Sequence, residues 1–487
     1  MQKQLPLEET LDPQDWTKVA ALAHKMIDEA IAHIATVRDR PVWQPMPEDV
    51  RKFFKAPVPQ APGDLAQAYG EIRQNLLPYS MGNNHPRFWS WYMGSGNFTG
   101  ALGDFLAAIE GSNLGGGNTA ACELDRQVVN WLKDMTGFPA SASGTLTSGG
   151  SMANLVCLTV ARNVGAGVDV RAEGITALPK SLRFYASDQA HSCIQKGLEI
   201  LGLGSKSLRL IASRPDFTMD VAALEAAIAA DEANGLKPVC VIATAGTTNT
   251  GAIDDIKAIA ELCRAKRLWM HVDGCIGALL KIAPANKSKV DGIELADSLS
   301  LDPHKWLHAP FEVGCALVKD ARQHRDSFAM HYAYLEEKPR GIGSGEFLAD
   351  YSLELSRNLK ALKVWLAIKE HGVEKFGRLI DQNIAQAEYL TDLVLAEPRL
   401  ELMAPTTINI VCFRYVVAGA DEERSKFINT EIMLRLQEEG IAAPSDTTIN
   451  GRHCLRAAIT NHRTRSHDLD VLVKEVLRLG GQVAQSA

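Results

Sequence analysis

The stretch SLSLDPHKWLHAP, residues 298–310, places a lysine between an Asp-Pro-His turn and the apolar pair Trp306-Leu307. Its alternating first half predicts a β-strand, and Lys305 follows the end of that strand. A buried lysine is costly unless it is paired, and its pKa shifts readily, which suits Schiff-base chemistry. The alternative is that Lys305 ends a strand and extends its amine into water.

The composition is that of a soluble globular protein with more than one domain. The chain has 487 residues, of which 46% are hydrophobic and 22% are charged. The net charge of -7 argues against nucleic-acid binding, and no apolar run is long enough to span a membrane. Nine cysteines without a CxxC pair argue against a disulfide framework, and the N-terminus lacks the pattern of a signal peptide. We therefore expect a reduced, cytoplasmic protein without a metal.

Helical patterns alternate with short apolar strands between about residues 100 and 370. Amphipathic helices are predicted for VAALEAAIAADEANG and DIKAIAELCRAK. The predicted strands are LRFYASD, LRLIAS, VCVIATAG, LWMHVDG, SLSLDP and GCALVKD. This order predicts an α/β fold, with a mostly parallel sheet covered by helices.

The same patterns predict three segments. Residues 1–84 hold an N-terminal helical segment, 14–37, and a proline-rich connector. Residues 85–370 form the large domain. Residues 371–487 return to a strand-helix-strand-helix order, which predicts a smaller C-terminal α+β domain.

Polar residues follow the carboxyl ends of four predicted strands. They are His191, Thr248, Asp273 and the pair His304-Lys305. Each has an ordinary explanation, since an acid after a strand commonly caps a helix and a lone histidine is usually a satisfied core residue. Ligands bind at this edge of open α/β sheets, however, so the shared position predicts a site.

A glycine turn suggests the kind of ligand. Ser148-Gly149-Gly150-Ser151 runs from an extended segment into a helical pattern. Glycines allow close approach of the backbone, and the free N–H groups of the following helix attract a phosphate. The turn lacks the features of a nucleotide P-loop and of a dinucleotide fold. An ordinary capped loop is the alternative.

Together these groups fit pyridoxal 5'-phosphate (PLP). Its aldehyde needs an amine, for which Lys305 is suited, and its pyridine nitrogen needs a carboxylate, for which Asp273 is suited. His191 is expected to lie over the ring, and Thr248 to reach the phenolic oxygen or a substrate carboxylate.

The chain resembles the group II PLP-dependent decarboxylases, which act on aromatic L-amino acids, glutamate and cysteine sulfinate. The matching motifs occur in the family's order and span nearly the whole chain. They are NHPRFWSW, ACELDRQVVNWL, TSGGSMANL, DQAHSCIQKG, TAGTTNTGAID, HVDG, ADSLSLDPHKWL and LRAAITNHRT. The resemblance implies the fold type I architecture and a homodimer whose active sites lie at the subunit interface.

The resemblance also implies roles for individual residues. Lys305 is the Schiff-base lysine, Asp273 the partner of the pyridinium and His191 the stacking residue. Gly150 and Ser151 are similar to the family's phosphate binders, with Asp302 or His304 near the same group.

A loop tyrosine of the family protonates the substrate carbon after carbon dioxide leaves. In FAMHYAYLEEKPRG the closer match is Tyr334, with Tyr332 second. A tyrosine there is associated with simple decarboxylation, and a phenylalanine with oxidative aldehyde formation.

Two positions depart from the family pattern. Gly274-Cys275-Ile276 replaces the usual Ala-Ala-Tyr after Asp273, so Cys275 is expected to place a thiol against the cofactor ring. Met93-Gly94 replaces a Pro-Thr type of pair in the segment that matches the substrate pocket. Both changes bear on substrate fit.

We therefore expect a PLP-dependent decarboxylase. An aromatic substrate is favoured because Trp89, Trp91 and Tyr92 crowd the pocket-matching segment, although these rings would also suit a core. In a regular strand Arg87 would share the face of both tryptophans, which keeps glutamate or cysteine sulfinate as an alternative. An aldehyde synthase and a relative that binds the cofactor without turnover are further alternatives.

Overall fold

The computed structural model describes residues 9–330 and 338–486. Its helices are α1 (Trp16–Ala35), α2 (Glu48–Phe53), α3 (Leu65–Asn75), α4 (Phe98–Glu110), α5 (Ala120–Thr136), α6 (Gly150–Ala166), α7 (Val170–Glu173), α8 (Cys193–Ile200), α9 (Val221–Ala233), α10 (Ile256–Lys266), α11 (Pro303–Trp306), α12 (Ala321–Phe328), α13 (Ala361–His371), α14 (Val373–Ala396), α15 (Glu422–Glu438) and α16 (Ser466–Ser486). Its strands are β1 (Phe88–Trp89), β2 (Ser143–Thr147), β3 (Leu182–Ser187), β4 (Leu208–Ile211), β5 (Lys237–Thr244), β6 (Trp269–Asp273), β7 (Ser298–Leu301), β8 (Gly314–Val318), β9 (Leu400–Leu402), β10 (Ile410–Tyr415), β11 (Ala443–Ile449) and β12 (Arg452–Ala458).

The larger sheet has the strand order β2-β8-β7-β6-β5-β3-β4. Neighbours from β4 through β7 run parallel, whereas β8 is antiparallel to both β7 and β2. The strand β5 reads as a continuous apolar run because α6, α9 and α10 all pack against it. The prediction of a mostly parallel sheet covered by helices is therefore confirmed, and each of its six predicted strands forms.

The smaller sheet has the order β1-β11-β12-β10-β9 and packs against α14, α15 and α16. One piece of it comes from an unexpected part of the chain. Although the predicted large domain begins at residue 85, β1 pairs in parallel with β11. Its Trp89 is fully buried in the apolar cluster of the smaller sheet. The domain bounds at residues 84 and 370 stay predictions.

The first helix is notable for its exposure. Asp15 caps α1 by accepting the N–H groups of Thr17 and Lys18, as a helix start requires. No residue of α1 is buried, and Trp16 and Ile31 are 64% and 46% exposed. None of the helices in the described ranges is both long and apolar enough to cross a membrane.

Candidate active site

A cavity of about 440 Å³ lies at the carboxyl ends of the parallel strands. The structure brings the predicted residues together there, apart from Tyr334 and Tyr332, which lie outside the described residues. The predicted residues that line the cavity are Gly150, Ser151, His191, Thr248, Asp273, Cys275, Asp302, His304 and Lys305. The roles assigned to them stay predictions.

Lys305 occupies α11, directly after β7, and its side chain is only 15% exposed. Its Nζ lies 3.0 Å from Asp302 Oδ2 and 5.5 Å from the centre of the Tyr92 ring. Burial acts to lower the pKa of Lys305, but the carboxylates of Asp302 and Asp273 outweigh it and raise the pKa above its usual value. The amine therefore points into the site as a paired ammonium, and it does not extend into water.

Close backbone contact holds the turn that carries Lys305. A side chain at position 94 would overlap the carbonyl oxygen of His304 and approach the Cα of Lys305. Only glycine fits at this contact. The departure at Met93-Gly94 therefore has a structural reason, because Gly94 packs directly on the lysine turn.

Asp273 ends β6 and is buried. Its Oδ1 accepts the backbone N–H of Cys275 at 3.2 Å and the Ser300 hydroxyl at 3.3 Å. Burial alone would raise the pKa of Asp273, but the hydrogen bonds from Cys275 and the charge of Lys305 keep the pKa below its usual value. The group is an ionised carboxylate facing the cavity, which suits a protonated ring nitrogen.

The glycine turn leads into the long helix α6. Gly149 has a φ of 148°, and a side chain at Gly150 would overlap Cys275 Sγ and lie 2.8 Å from Asp302 Oδ2. The first N–H groups of α6 lack partners within the helix and favour an anion. Free donors and a positive helix end therefore coincide at the predicted phosphate site, where Gly150 and Ser151 line the cavity.

The two histidines of the cavity are held differently. His191 Nδ1 accepts the backbone N–H of Cys193 at 3.2 Å, which leaves its Nε2 to donate. His304 Nδ1 donates to the carbonyl of Val313 at 2.7 Å, and its ring centre lies 4.6 Å from that of Phe311. Burial lowers the pKa of His304, so its ring is neutral.

Cys275 lines the cavity as its position after Asp273 predicts. Its thiol donates to the Ser300 hydroxyl at 3.4 Å. Burial raises the pKa of Cys275 well above its usual value, so the group is a neutral thiol and a poor nucleophile.

The aromatic segment lines the cavity through Tyr92 and Met93 only. Trp89 is core, Trp91 is 55% exposed outside the cavity, and Arg87 donates to the carbonyl of Ile441 at 2.6 Å. The expected common face fails because β1 ends at Trp89 and Trp91 has a φ of 56°, which breaks the alternation of a strand. The idea that the indoles and Arg87 line the pocket is therefore wrong.

Arg456 is a residue that the sequence analysis missed. This buried arginine of β12 donates to the backbone carbonyls of Trp91, Thr248 and Asn249. It thereby joins two segments beside the cavity, including the loop that carries Thr248. An arginine inside the otherwise apolar LRAAITN strand is the signal that would have identified it.

PLP fits this set of groups. The amine of Lys305 suits its aldehyde, the carboxylate of Asp273 its ring nitrogen, and the turn at Gly150 its phosphate. A side chain at Gly150 would collide with Cys275 and Asp302, so only glycine lets the turn lie this close to the cavity floor, where Asp302 Oδ1 is buried without a hydrogen-bond partner.

Known proteins agree with this geometry. The pyridoxal-dependent decarboxylase conserved domain matches residues 47–416. An aromatic-L-amino-acid decarboxylase of Bacillus atrophaeus is 32% identical over 474 residues, which cover 96% of each chain. A phenylacetaldehyde synthase of Arabidopsis thaliana is 28% identical over 462 residues, covering 92% of this chain and 93% of its own.

The fold is also similar to that of solved PLP enzymes. The crystal structure of Oryza sativa TDC with PLP and tryptamine matches with a TM-score of 0.89 at 27% identity, covering 97% of this chain and 99% of that one. With its fold type I architecture and its cavity for PLP, the chain belongs to the pyridoxal-dependent decarboxylases and is a PLP-dependent carboxy-lyase.

Proposed function

We propose that the enzyme removes the carboxylate of an aromatic L-amino acid as carbon dioxide and releases the amine. The observation that carries this proposal is the meeting of Lys305, Asp273 and apolar side chains in one cavity. The apolar groups are Tyr92, Met93, Ile276 and Phe311. The similarity to an aromatic-L-amino-acid decarboxylase over nearly the whole chain supports the same substrate class.

The charges around the cavity argue against an acidic substrate. Among the described residues that line it, the cationic side chain is Lys305, which the cofactor requires. Arg87 bonds to Ile441 and lies 4.0 Å from Asp468, away from the cavity. A distal carboxylate of glutamate or cysteine sulfinate would therefore lack a counterion in this part of the site, and burying it would be costly.

Each residue of the site has a different role in the proposed reaction. Bound PLP supplies an electron sink for the electrons that carbon dioxide leaves behind. Lys305 would hold the cofactor through its amine, and Asp273 would keep a proton on the cofactor's ring nitrogen. His191, whose Nε2 is left to donate, would face the ring and orient the substrate. Thr248 would contact the phenolic oxygen or the substrate carboxylate.

The proton that replaces carbon dioxide comes, in this proposal, from Tyr334. This residue lies outside the described residues, and its assignment rests on the resemblance of its loop to that of the family. A tyrosine favours release of the amine over oxidation to an aldehyde.

We also propose a cytoplasmic homodimer with shared active sites. The exposed apolar side chains of α1, such as Trp16 and Ile31, would be covered by a second subunit. The nine cysteines are all free thiols, as expected for a reducing compartment.

The test is amine formation from tyrosine, tryptophan, phenylalanine, glutamate and cysteine sulfinate under identical conditions. We expect one of the aromatic substrates to have the highest kcat/KM, with equal amounts of amine and carbon dioxide. A higher kcat/KM for glutamate or cysteine sulfinate would overturn the substrate class. Aldehyde with hydrogen peroxide in place of amine would overturn simple decarboxylation.

A further inference from the structure

A set of buried polar side chains lies beneath the cavity, outside the roles described above. His271 and Asp273 are two residues apart on β6 and therefore share a face. The register of β7 pairs Ser298 with His271 and Ser300 with Asp273. Asn154 lies one turn after Gly150 on α6.

The hydrogen bonds among these residues determine the orientation of the Asn154 amide. Its Nδ2 donates to the carbonyl of Gly150 at 2.9 Å. A flipped amide would set oxygen against oxygen there, so Oδ1 must face His271. The Nε2 of His271 lies 2.7 Å from Asn154 Oδ1, which accepts only, and Nε2 must therefore carry a hydrogen.

The other side of the His271 ring faces Ser298. The indole N–H of Trp269 donates to Ser298 Oγ at 2.9 Å. The Ser298 hydroxyl hydrogen is thus free to bond to His271 Nδ1, also at 2.9 Å, and the Ser298 carbonyl lies 3.2 Å from the same nitrogen. Burial lowers the pKa of His271 to about 4, so the ring is neutral, and the hydrogen on Nε2 leaves Nδ1 to accept from the hydroxyl.

The chain of bonds reaches both ends of the cofactor site. Through Gly150, Asn154 contacts the turn where a phosphate would bind. The Ser300 hydroxyl lies 3.2 Å from Asn154 Oδ1 and 3.3 Å from Asp273 Oδ1, and its one hydrogen is shared between these two acceptors. Because the His271 ring is neutral, it can hold Asn154 in place without placing a second positive charge beside Asp273, whose carboxylate is expected to pair with the cofactor's ring nitrogen.

We propose that His271 is a positioning residue: its Nε2–H orients Asn154, and Asn154 holds the phosphate turn at Gly150 in register with the Ser300–Asp273 pair. This inference rests on the proposed cofactor contacts of Gly150 and Asp273. It predicts that the loss of one hydrogen at Nε2 weakens cofactor binding, although His271 does not touch the cofactor.

Two substitutions at position 271 separate this role from simple packing. In His271→Gln the amide nitrogen takes about the place of Nε2 and can donate to Asn154. In His271→Asn the amide reaches only to about the place of Nδ1. We expect His271→Asn to raise the dissociation constant of PLP from the apoenzyme about 10- to 100-fold, the effect of one unsatisfied buried group. His271→Gln should stay near the wild-type value.

A second pair of variants tests the link through Asn154. Asn154→Asp places an acceptor opposite the carbonyl of Gly150, and we expect it to weaken PLP binding at least as much as His271→Asn. Asn163→Asp is the matched control on α6, because Asn163 contacts Arg162 away from the cavity, and it should leave PLP binding unchanged. Thermal unfolding of each apoenzyme reports any general loss of stability.

The PLP dissociation constant distinguishes the outcomes. Wild-type PLP binding in His271→Asn, or equal weakening in the Gln and Asn variants, would overturn the positioning role. The proposed cofactor contacts are tested independently by Asp273→Asn. Unchanged PLP binding and turnover in that variant would show that those contacts are wrong, whatever the result at His271.

Discussion

The Lys305 ammonium lies 3.0 Å from the carboxylate of Asp302, three residues earlier in the chain. This pairing raises the pKa of the amine and keeps it charged in a buried site. In the role proposed for Lys305, the amine must lose its proton before it can bind the cofactor aldehyde, so we expect Asp302 to control the pH at which the apoenzyme captures PLP.

Asp302→Asn should therefore move cofactor capture to lower pH. The rate of PLP binding to the wild-type apoenzyme should rise with pH as Lys305 deprotonates, and removal of the carboxylate lowers the pKa of that step. Stopped-flow absorbance across a pH series measures it. Asp291→Asn is the control, because Asp291 pairs with Lys257 and Lys281 on the surface. Identical pH profiles for wild type and Asp302→Asn would contradict the pairing.

Asp273→Asn should retain part of the PLP binding but lower kcat about 100-fold, the usual size of losing one charge-stabilising group. The physical reason is that a neutral ring nitrogen is a poor electron sink. Asp297→Asn is a suitable control, since Asp297 accepts the N–H of Met270 at the opposite end of the same strands. Near-normal kcat in Asp273→Asn would mean that the acid is merely structural.

Gly94→Ala should displace the turn that carries Lys305, because the new methyl group overlaps the carbonyl of His304. We expect a loss of about 1–3 kcal/mol in the free energy of unfolding, together with weaker PLP binding. Gly63→Ala is the control, since nothing lies within 4 Å of a side chain there. Crystal structures and denaturant titrations of both variants measure the effect. An unchanged turn in Gly94→Ala would refute the close contact.

The exposed face of α1 should mediate dimer formation. We expect the double variant Trp16→Asp with Ile31→Asp to shift the protein toward a monomer and to lose activity, because charges in an apolar interface oppose association. Light scattering with a parallel activity assay measures both. Lys18→Ala is the control on the same helix, since Lys18 is largely exposed. A fully active wild-type monomer at working concentration would contradict the homodimer.

The sequence predicts the larger sheet and its strand-end residues well, because apolar strands and amphipathic helices are local patterns. Asp273 and Lys305 could be located since each lies at or just beyond the carboxyl end of such a strand. Of the aromatics predicted for the pocket, Tyr92 lines the cavity, whereas Trp89 and Trp91 do not, because the positive φ of Trp91 breaks the alternation that the prediction assumed. The contacts of Arg456 with Trp91 and Thr248 join distant parts of the chain. Only the folded structure brings those parts together.

The contacts that support the site could not be predicted either, because they depend on how distant elements pack together. The bonds between His271 and Asn154 depend on how β6 and α6 stack, which residue spacing alone does not specify. The Gly94 contact likewise requires two segments that are far apart in sequence to meet. The residues that carry the chemistry of the site can therefore be predicted from local motifs. The residues that hold them in place depend on tertiary packing, which local motifs do not show.

Borohydride reduction of the holoenzyme, followed by peptide mapping, tests most directly whether Lys305 is the covalent anchor of the cofactor. Reduction makes the bond between a lysine amine and the cofactor aldehyde permanent. We predict a single labelled peptide containing Lys305, no label on Lys319, which follows β8, and loss of both the yellow absorbance and turnover in Lys305→Ala. Label on another lysine, or an active yellow Lys305→Ala enzyme, would contradict the assignment.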